Sequence, residues 1–158
     1  MEIQFRKMDH SDIHRVWELE CVCFSSPWSE ASLRDELRNK LAHYELLEAD
    51  GLIVGYAGMW VLFGEAHITN VAIAPEYRRM GLGKKLMLHM FDIADRCKAQ
   101  SMTLEVRERN VAAQTLYYHL GFQKAGERKR YYTDTGESAY ILWNHCIADI
   151  IDRERAKC

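Results

Sequence analysis

The eight residues Arg78-Arg79-Met80-Gly81-Leu82-Gly83-Lys84-Lys85 constrain this chain more than any other segment. They follow a run, His67 to Ile73, in which polar and apolar residues interleave, and Pro75 ends that run because proline cannot continue a ladder. They open a stretch that sets Leu82, Leu86, Met90, Ile93 and Cys97 three and four apart, with Lys85, His89, Asp92 and Arg96 turned largely away. A strand that feeds a helix through two glycines aims backbone N–H groups and the helix dipole at one point, and glycine lets the backbone approach closely whatever sits there. Four of the eight residues are basic, and two of those fall in the helix's first turn, where the macrodipole favours acidic side chains. A bound polyanion removes that conflict; a solvated basic helix start is the competing reading.

Two nucleotide fingerprints fail at this turn. A Walker loop needs four residues between its first glycine and a Gly-Lys-Ser/Thr, whereas Gly83-Lys84-Lys85 lacks both the spacing and the hydroxyl. The dinucleotide pattern needs a third glycine where Leu86 stands.

Around the turn the chain reads as alternating strands and helices. Ile3 and Phe5 mark a first strand, Ser11 can cap a helix through Ile13, Val16, Trp17 and Leu19, and Ser26 or Ser29 can cap a second helix that stops at Asn39. Asp50-Gly51 joins two apolar-rich runs as a hairpin, and Gly64-Glu65 marks the turn into the next strand. Met102 to Val106 is the strand after the glycine-led helix, Asn110 caps a further helix with Ala113, Leu116 and Leu120 on one face, and Gly121 stops it. A last hairpin turns at Asp134-Thr135-Gly136. The expected fold is α/β, a mixed and mostly antiparallel sheet of about seven strands flanked by about four helices.

With 158 residues, 48% of them hydrophobic, the chain can bury one substantial core, so we expect one compact domain over 1–145 and a charged, fraying helical tail over 146–158. A net charge of −2 supplies no global field toward nucleic acid or a membrane surface, so any anion site is local. No run approaches a membrane span and the first residues lack a secretion core, which predicts a cytoplasmic protein. Five cysteines, an odd number with irregular spacing, suit free thiols, and no ligand pair has zinc spacing, so no metal is expected.

The strand beginning Thr69-Asn70-Val71, followed by Arg-x-x-Gly-x-Gly, resembles the acetyl-CoA motif of the GNAT superfamily. With Phe24 to Ser29, Glu65 to Val71, Leu104 to Arg107, Asn110, Leu116-Tyr117, Gly121-Phe122 and Tyr131-Tyr132, nearly the whole chain resembles the RimI-type acetyltransferases within it. That resemblance implies an enzyme that uses acetyl-CoA to acetylate the N-terminal α-amine of a protein, a small-subunit ribosomal protein in the bacterial family. It implies that Val71, Ala72 and Ile73 contact pantetheine, that Arg78, Arg79, Met80, Gly81, Leu82, Gly83 and Lys84 hold the pyrophosphate, and that Asn110 reaches the cofactor. It further implies Glu105 as general base, Tyr117 as general acid toward the leaving thiolate, and Trp28, Tyr131 and Tyr132 as borders of the peptide groove.

Amine acetylation needs a group that takes the ammonium proton and one that protonates the departing sulfur. Glu105 alternates with Leu104 and Val106 on an interior strand, where burial should raise its pKa; a solvent-facing glutamate is the alternative. Tyr117 has an ordinary pKa of about 10, suited to a thiolate, and could equally be a core anchor. His67 reads as a packed, hydrogen-bonded side chain. No cysteine has an evident activating base, which favours direct transfer in a ternary complex, with the oxyanion meeting a backbone donor at Val71 or Ala72. We expect a monomer. The competing functions are acetylation of a small amine, such as a polyamine, whose pocket would carry converging carboxylates, and a CoA-binding module without turnover, which the presence of Glu105 and Tyr117 opposes.

Overall fold

The computed structural model describes residues 1–157. In chain order it contains β1 (Ile3–Lys7), α1 (Ile13–Cys23), α2 (Glu30–Arg38), β2 (Ala42–Ala49), β3 (Leu52–Leu62), β4 (Glu65–Ile73), α3 (Leu82–Arg96), β5 (Ser101–Arg107), α4 (Val111–His119), β6 (Gln123–Arg128), β7 (Ala139–Asn144) and α5 (Ile147–Arg155). Two short 3₁₀ turns precede α1 and α3. The seven strands form one sheet in the order β1-β2-β3-β4-β5-β7-β6. Its β4–β5 pair is parallel, while β1–β2, β2–β3, β5–β7 and β6–β7 are antiparallel, the mixed sheet that the sequence predicts.

Local chemistry explains most boundaries. Asp9, not Ser11, starts the first helical segment: its carboxylate accepts from Ser11 N–H while Asp12 reciprocates at the Asp9 N–H, a two-way cap. Ser29 caps α2 by accepting from Ser32 N–H at 3.0 Å. Asp50 and Gly51 both adopt positive φ, as a two-residue hairpin turn demands, and Phe63-Gly64 does the same one position earlier than the sequence suggests. Asn110 caps α4 through Ala113 N–H, and Gly121, at φ +86°, leaves it.

Contacts divide the chain into two units that interleave in sequence. The first comprises Met1–Trp60 with Thr69–Met90, the second Val61–Ile68 with the residues from Phe91 onward. In the first, Val16, Leu19, Leu33, Leu46 and Tyr56 build a core that Trp28 and Phe24 flank. In the second, Phe91, Leu104, Tyr117, Phe122 and Leu142 are buried, with Phe122 tilted against Phe91 and edge-on to Tyr117.

Three expected faces are corrected. On α3 the buried stripe is Leu82, Leu86, Met87, Met90, Phe91 and Ala94, so Ile93 is only half-buried and Cys97 is exposed. On α4 the inward residues are Gln114, Tyr117 and Leu120, while Ala113 and Leu116 are half-buried, because Tyr117 supplies the larger apolar area. The tail carries a packed helix: Ile147, Ile150 and Ile151 lie three and four apart and are buried, and Ile147 N–H donates to Gln100 O. Its charges occupy the opposite face, which is why composition alone suggested a loose end.

Candidate active site

The glycine turn has the geometry of an anion cradle. Arg79 and Gly81 take φ of +62° and +78°, and a Cβ placed on Gly81 would meet nothing within 4 Å. The loop therefore bends at Gly81 for backbone reasons, with open space in front of it. Leu82 starts α3 immediately afterwards, so the N–H groups of its first turn lack intrahelical partners, and no acidic residue occupies that turn. Lys84 and Lys85 stand there instead. Arg78 donates from Nε to Ile73 O at 2.9 Å, which fastens the turn to the end of β4.

Strand β4 alternates in burial, with Ala66, Ile68, Asn70 and Ala72 inward and His67, Thr69, Val71 and Ile73 half-exposed. Its parallel pairing with β5 extends only from Glu65 opposite Ser101 to His67 opposite Thr103. On the other edge, Ala74 N–H donates to Val54 O, and a Cβ on Gly55 would come within 2.9 Å of Ala72 O. Ala72 and Ala74 thus direct their polar backbone groups toward β3, and by the strand's period of two Val71 directs its own toward the opposite edge. Of the two residues expected to offer an oxyanion donor, Ala72 has its backbone turned toward β3 and Val71 has its own turned away from it.

Glu105 lies on the half-exposed face of β5, between the buried Leu104 and Val106. His67 Nε2 is 2.9 Å from its Oε2, and Arg128 Nε is 3.7 Å from its Oε1. The His67 hydrogen bond holds the carboxyl below the usual glutamate value despite opposing burial, so the expected upward shift is overturned. The imidazole moves the other way, raised chiefly by the same hydrogen bond.

Tyr117 is buried on α4, edge-on to Phe122 at 5.7 Å. Burial pushes its pKa up to about 12, with the Tyr132 phenol adding to the effect, so the ordinary value assumed from sequence is corrected upward. A phenol so placed remains protonated at neutral pH and has a proton to give.

Tyr131 and Tyr132 pack together beside Arg107. Arg107, two residues from Glu105 on the same face, lays its guanidinium 3.9 Å from the centre of the Tyr132 ring and pairs with Asp134 and Glu137. Tyr132 meets Tyr131 edge-on at 5.1 Å, and Tyr131 remains half-exposed. In the first unit, Trp28 is held by its own N–H, which donates at 2.9 Å to Glu20, a fully buried carboxylate that also accepts from the Tyr56 hydroxyl at 2.6 Å. Trp28 lines an open cavity of about 560 Å³ with Pro27, Ser29, Ser32, Asp35 and Glu36. Glu20 and Arg107 escape sequence reasoning because their partners lie far along the chain; Arg107's only local signal is its spacing of two from Glu105. No group of side chains suited to a metal is found among the described residues.

In the first unit a glycine-opened helix N-terminus follows β4, and in the second a carboxylate and a phenol stand on β5 and α4, group types that acyl transfer to an amine uses. The match to the Acetyltransferase (GNAT) family over residues 13–122 makes this explicit: the chain belongs to that family. It is 45% identical over 139 residues, 87% of this chain and 92% of the other, to a Bacillus subtilis protein named provisionally as a [ribosomal protein bS18]-alanine N-acetyltransferase. The N-alpha-acetyltransferase RimI of Mycobacterium tuberculosis is 34% identical over 85% of this chain and 87% of its own. The crystal structure of the ribosomal-protein-S18-alanine N-acetyltransferase from Escherichia coli superposes with a TM-score of 0.84 at 30% identity, covering 90% of this chain and 92% of that one.

Proposed function

We propose that this acetyltransferase moves the acetyl group of acetyl-CoA directly to the N-terminal α-amine of a protein, a ribosomal protein of the kind for which two of its relatives are named, in the cytoplasm. The observation that carries the cofactor reading is the glycine turn, where positive φ at Arg79 and Gly81, open space and an acid-free helix start favour a diphosphate. Arg78, Arg79, Met80, Gly81, Leu82, Gly83 and Lys84 would hold the pyrophosphate, Val71 to Ile73 the pantetheine arm, and Asn110 the cofactor at the head of α4. Acetyl-CoA supplies the activated acetyl group. Glu105 takes the proton from the α-ammonium, the Val71 N–H steadies the developing negative oxygen, and Tyr117 gives its proton to the departing sulfur. Trp28, Tyr131 and Tyr132 border the peptide.

A second reading, transfer to a small polyamine, draws on Asp35 and Glu36 beside Trp28 in the cavity. Glu36 there already accepts from Trp60 Nε1 at 2.6 Å and Tyr44 Oη at 3.2 Å, which reduces its freedom to bind an amine. The cofactor reading is tested by thermal unfolding. Acetyl-CoA protects the protein, whereas ATP and NADH do not; equal protection by ATP contradicts the assignment.

A further inference from the structure

His67 is the last β4 residue paired with β5, opposite Thr103, and Glu105 lies two residues further along β5 on the same face. Glu105 thus stands at the first same-face position past the end of the ladder, and its side chain bonds back to the imidazole. The two carboxylate oxygens have unequal surroundings: Oε2 is bound to His67 at 2.9 Å, while Oε1 has Arg128 only at 3.7 Å. The carboxylate side chain is 18% exposed and the imidazole 45% exposed, so the pair spans from the interior to solvent.

We propose that His67 is the positioning residue of the base, binding Oε2 of Glu105 so that the carboxylate is held in one orientation with Oε1 left to take the proton from the substrate's α-ammonium. This rests on the reading of Glu105 as the proton acceptor. In the step itself an N–H bond of the ammonium breaks, its electron pair stays on nitrogen, and an O–H bond forms at Oε1. His67 keeps its Nε2–H and donates it to Oε2 throughout. The charged and titratable groups around Glu105 are His67 on β4, Arg128 on β6 and Tyr132 on the β6–β7 connection, and the first two favour the ionised carboxylate. Without His67, burial is opposed by the smaller effects of Arg128 and a backbone hydrogen bond, which predicts an upward shift of the Glu105 titration.

Two variants separate orientation from charge. His67→Ala removes both and lowers kcat by about 10- to 100-fold at pH 8, the loss of one charge-assisted hydrogen bond to the reacting group. His67→Gln restores a neutral donor and recovers kcat to within about threefold at pH 8. For both, the ratio of variant to wild-type kcat at saturating peptide falls between pH 8 and pH 5.5; the peptide's own amine titration cancels in that ratio. A carbon-detected NMR titration of the free protein, independent of any substrate, reads the Glu105 carboxyl directly. It moves up in His67→Ala, and the imidazole of His67 moves down in Glu105→Gln. A kcat unchanged in His67→Ala, or a ratio flat with pH, overturns the proposal. Failure of the wild type to acetylate any peptide overturns the function reading, while the NMR arm still decides whether the pair is coupled. Unmoved NMR titrations overturn the pairing itself.

Discussion

Glu20→Ala tests how the wall of the proposed peptide groove is built. Glu20 is 1% exposed and receives two donors, the Tyr56 hydroxyl at 2.6 Å and the Trp28 N–H at 2.9 Å. Tyr56 is itself fully buried, so its stranded hydroxyl costs the upper part of the range for an unmade buried hydrogen bond, about 2–3 kcal/mol. Trp28 is half-buried, and its N–H can recruit water, so it adds about 1 kcal/mol. The sum, about 3–4 kcal/mol, corresponds to a Tm lowered by about 6–16 °C for a chain of this size. Tyr56→Phe alone costs about 1–1.5 kcal/mol, because Glu20 keeps the Trp28 N–H. The double variant is less destabilised than the sum of the two, since Tyr56→Phe removes the donor that Glu20→Ala strands. Differential scanning calorimetry on the four proteins measures all of this. A Tm change under about 2 °C for Glu20→Ala, or strict additivity in the cycle, refutes the argument.

Three further outcomes follow from the same structure. Glu105→Gln and Tyr117→Phe each lower kcat by about 10² to 10⁴, whereas Tyr118→Phe, the same change at an exposed neighbour, stays near wild type in steady-state assays. Gly81→Ala places an L-residue at φ +78° without any clash, so it costs about 1–2 kcal/mol of backbone strain and raises the acetyl-CoA KM more than it lowers kcat. Asp12, which accepts two hydrogen bonds from Arg6 at 2.8 Å, is held below its ordinary value of 3.8. Its contribution to stability is therefore complete above that value and fades as pH falls through the lower folded-state value. Urea titrations should show Asp12→Asn less stable than wild type at pH 7, with the difference vanishing in strong acid.

The parts legible in the sequence were those encoded by neighbours. Gly81, Pro75, Asn110, Ser29 and the Asp50-Gly51 pair each act within a turn of themselves, so strand ends, turns and helix starts could be read directly. Glu105 and Tyr117 were placed correctly on β5 and α4, but their electrostatics were not. His67 is 38 residues from Glu105, and only the β4–β5 register makes them partners, reversing the direction expected from burial. Tyr117 moved upward because α4 turns it inward, one step round from the face that Ala113 and Leu116 suggested. Strand alternation also distinguishes Val71 from Ala72, which sequence treated alike. The last helix was missed as a packed element because its three isoleucines are outnumbered by charges on the other face.

The central claim, transfer to a protein α-amine, is tested most directly by locating the acetyl group. A peptide with a free N-terminus and an internal lysine, the same peptide with its N-terminus blocked, and spermidine are incubated separately with the protein and labelled acetyl-CoA. Tandem mass spectrometry then assigns the modified nitrogen. The account predicts label on the α-amine of the first peptide and none on the blocked peptide or spermidine. Label on the lysine of the blocked peptide, or preferential acetylation of spermidine, contradicts it.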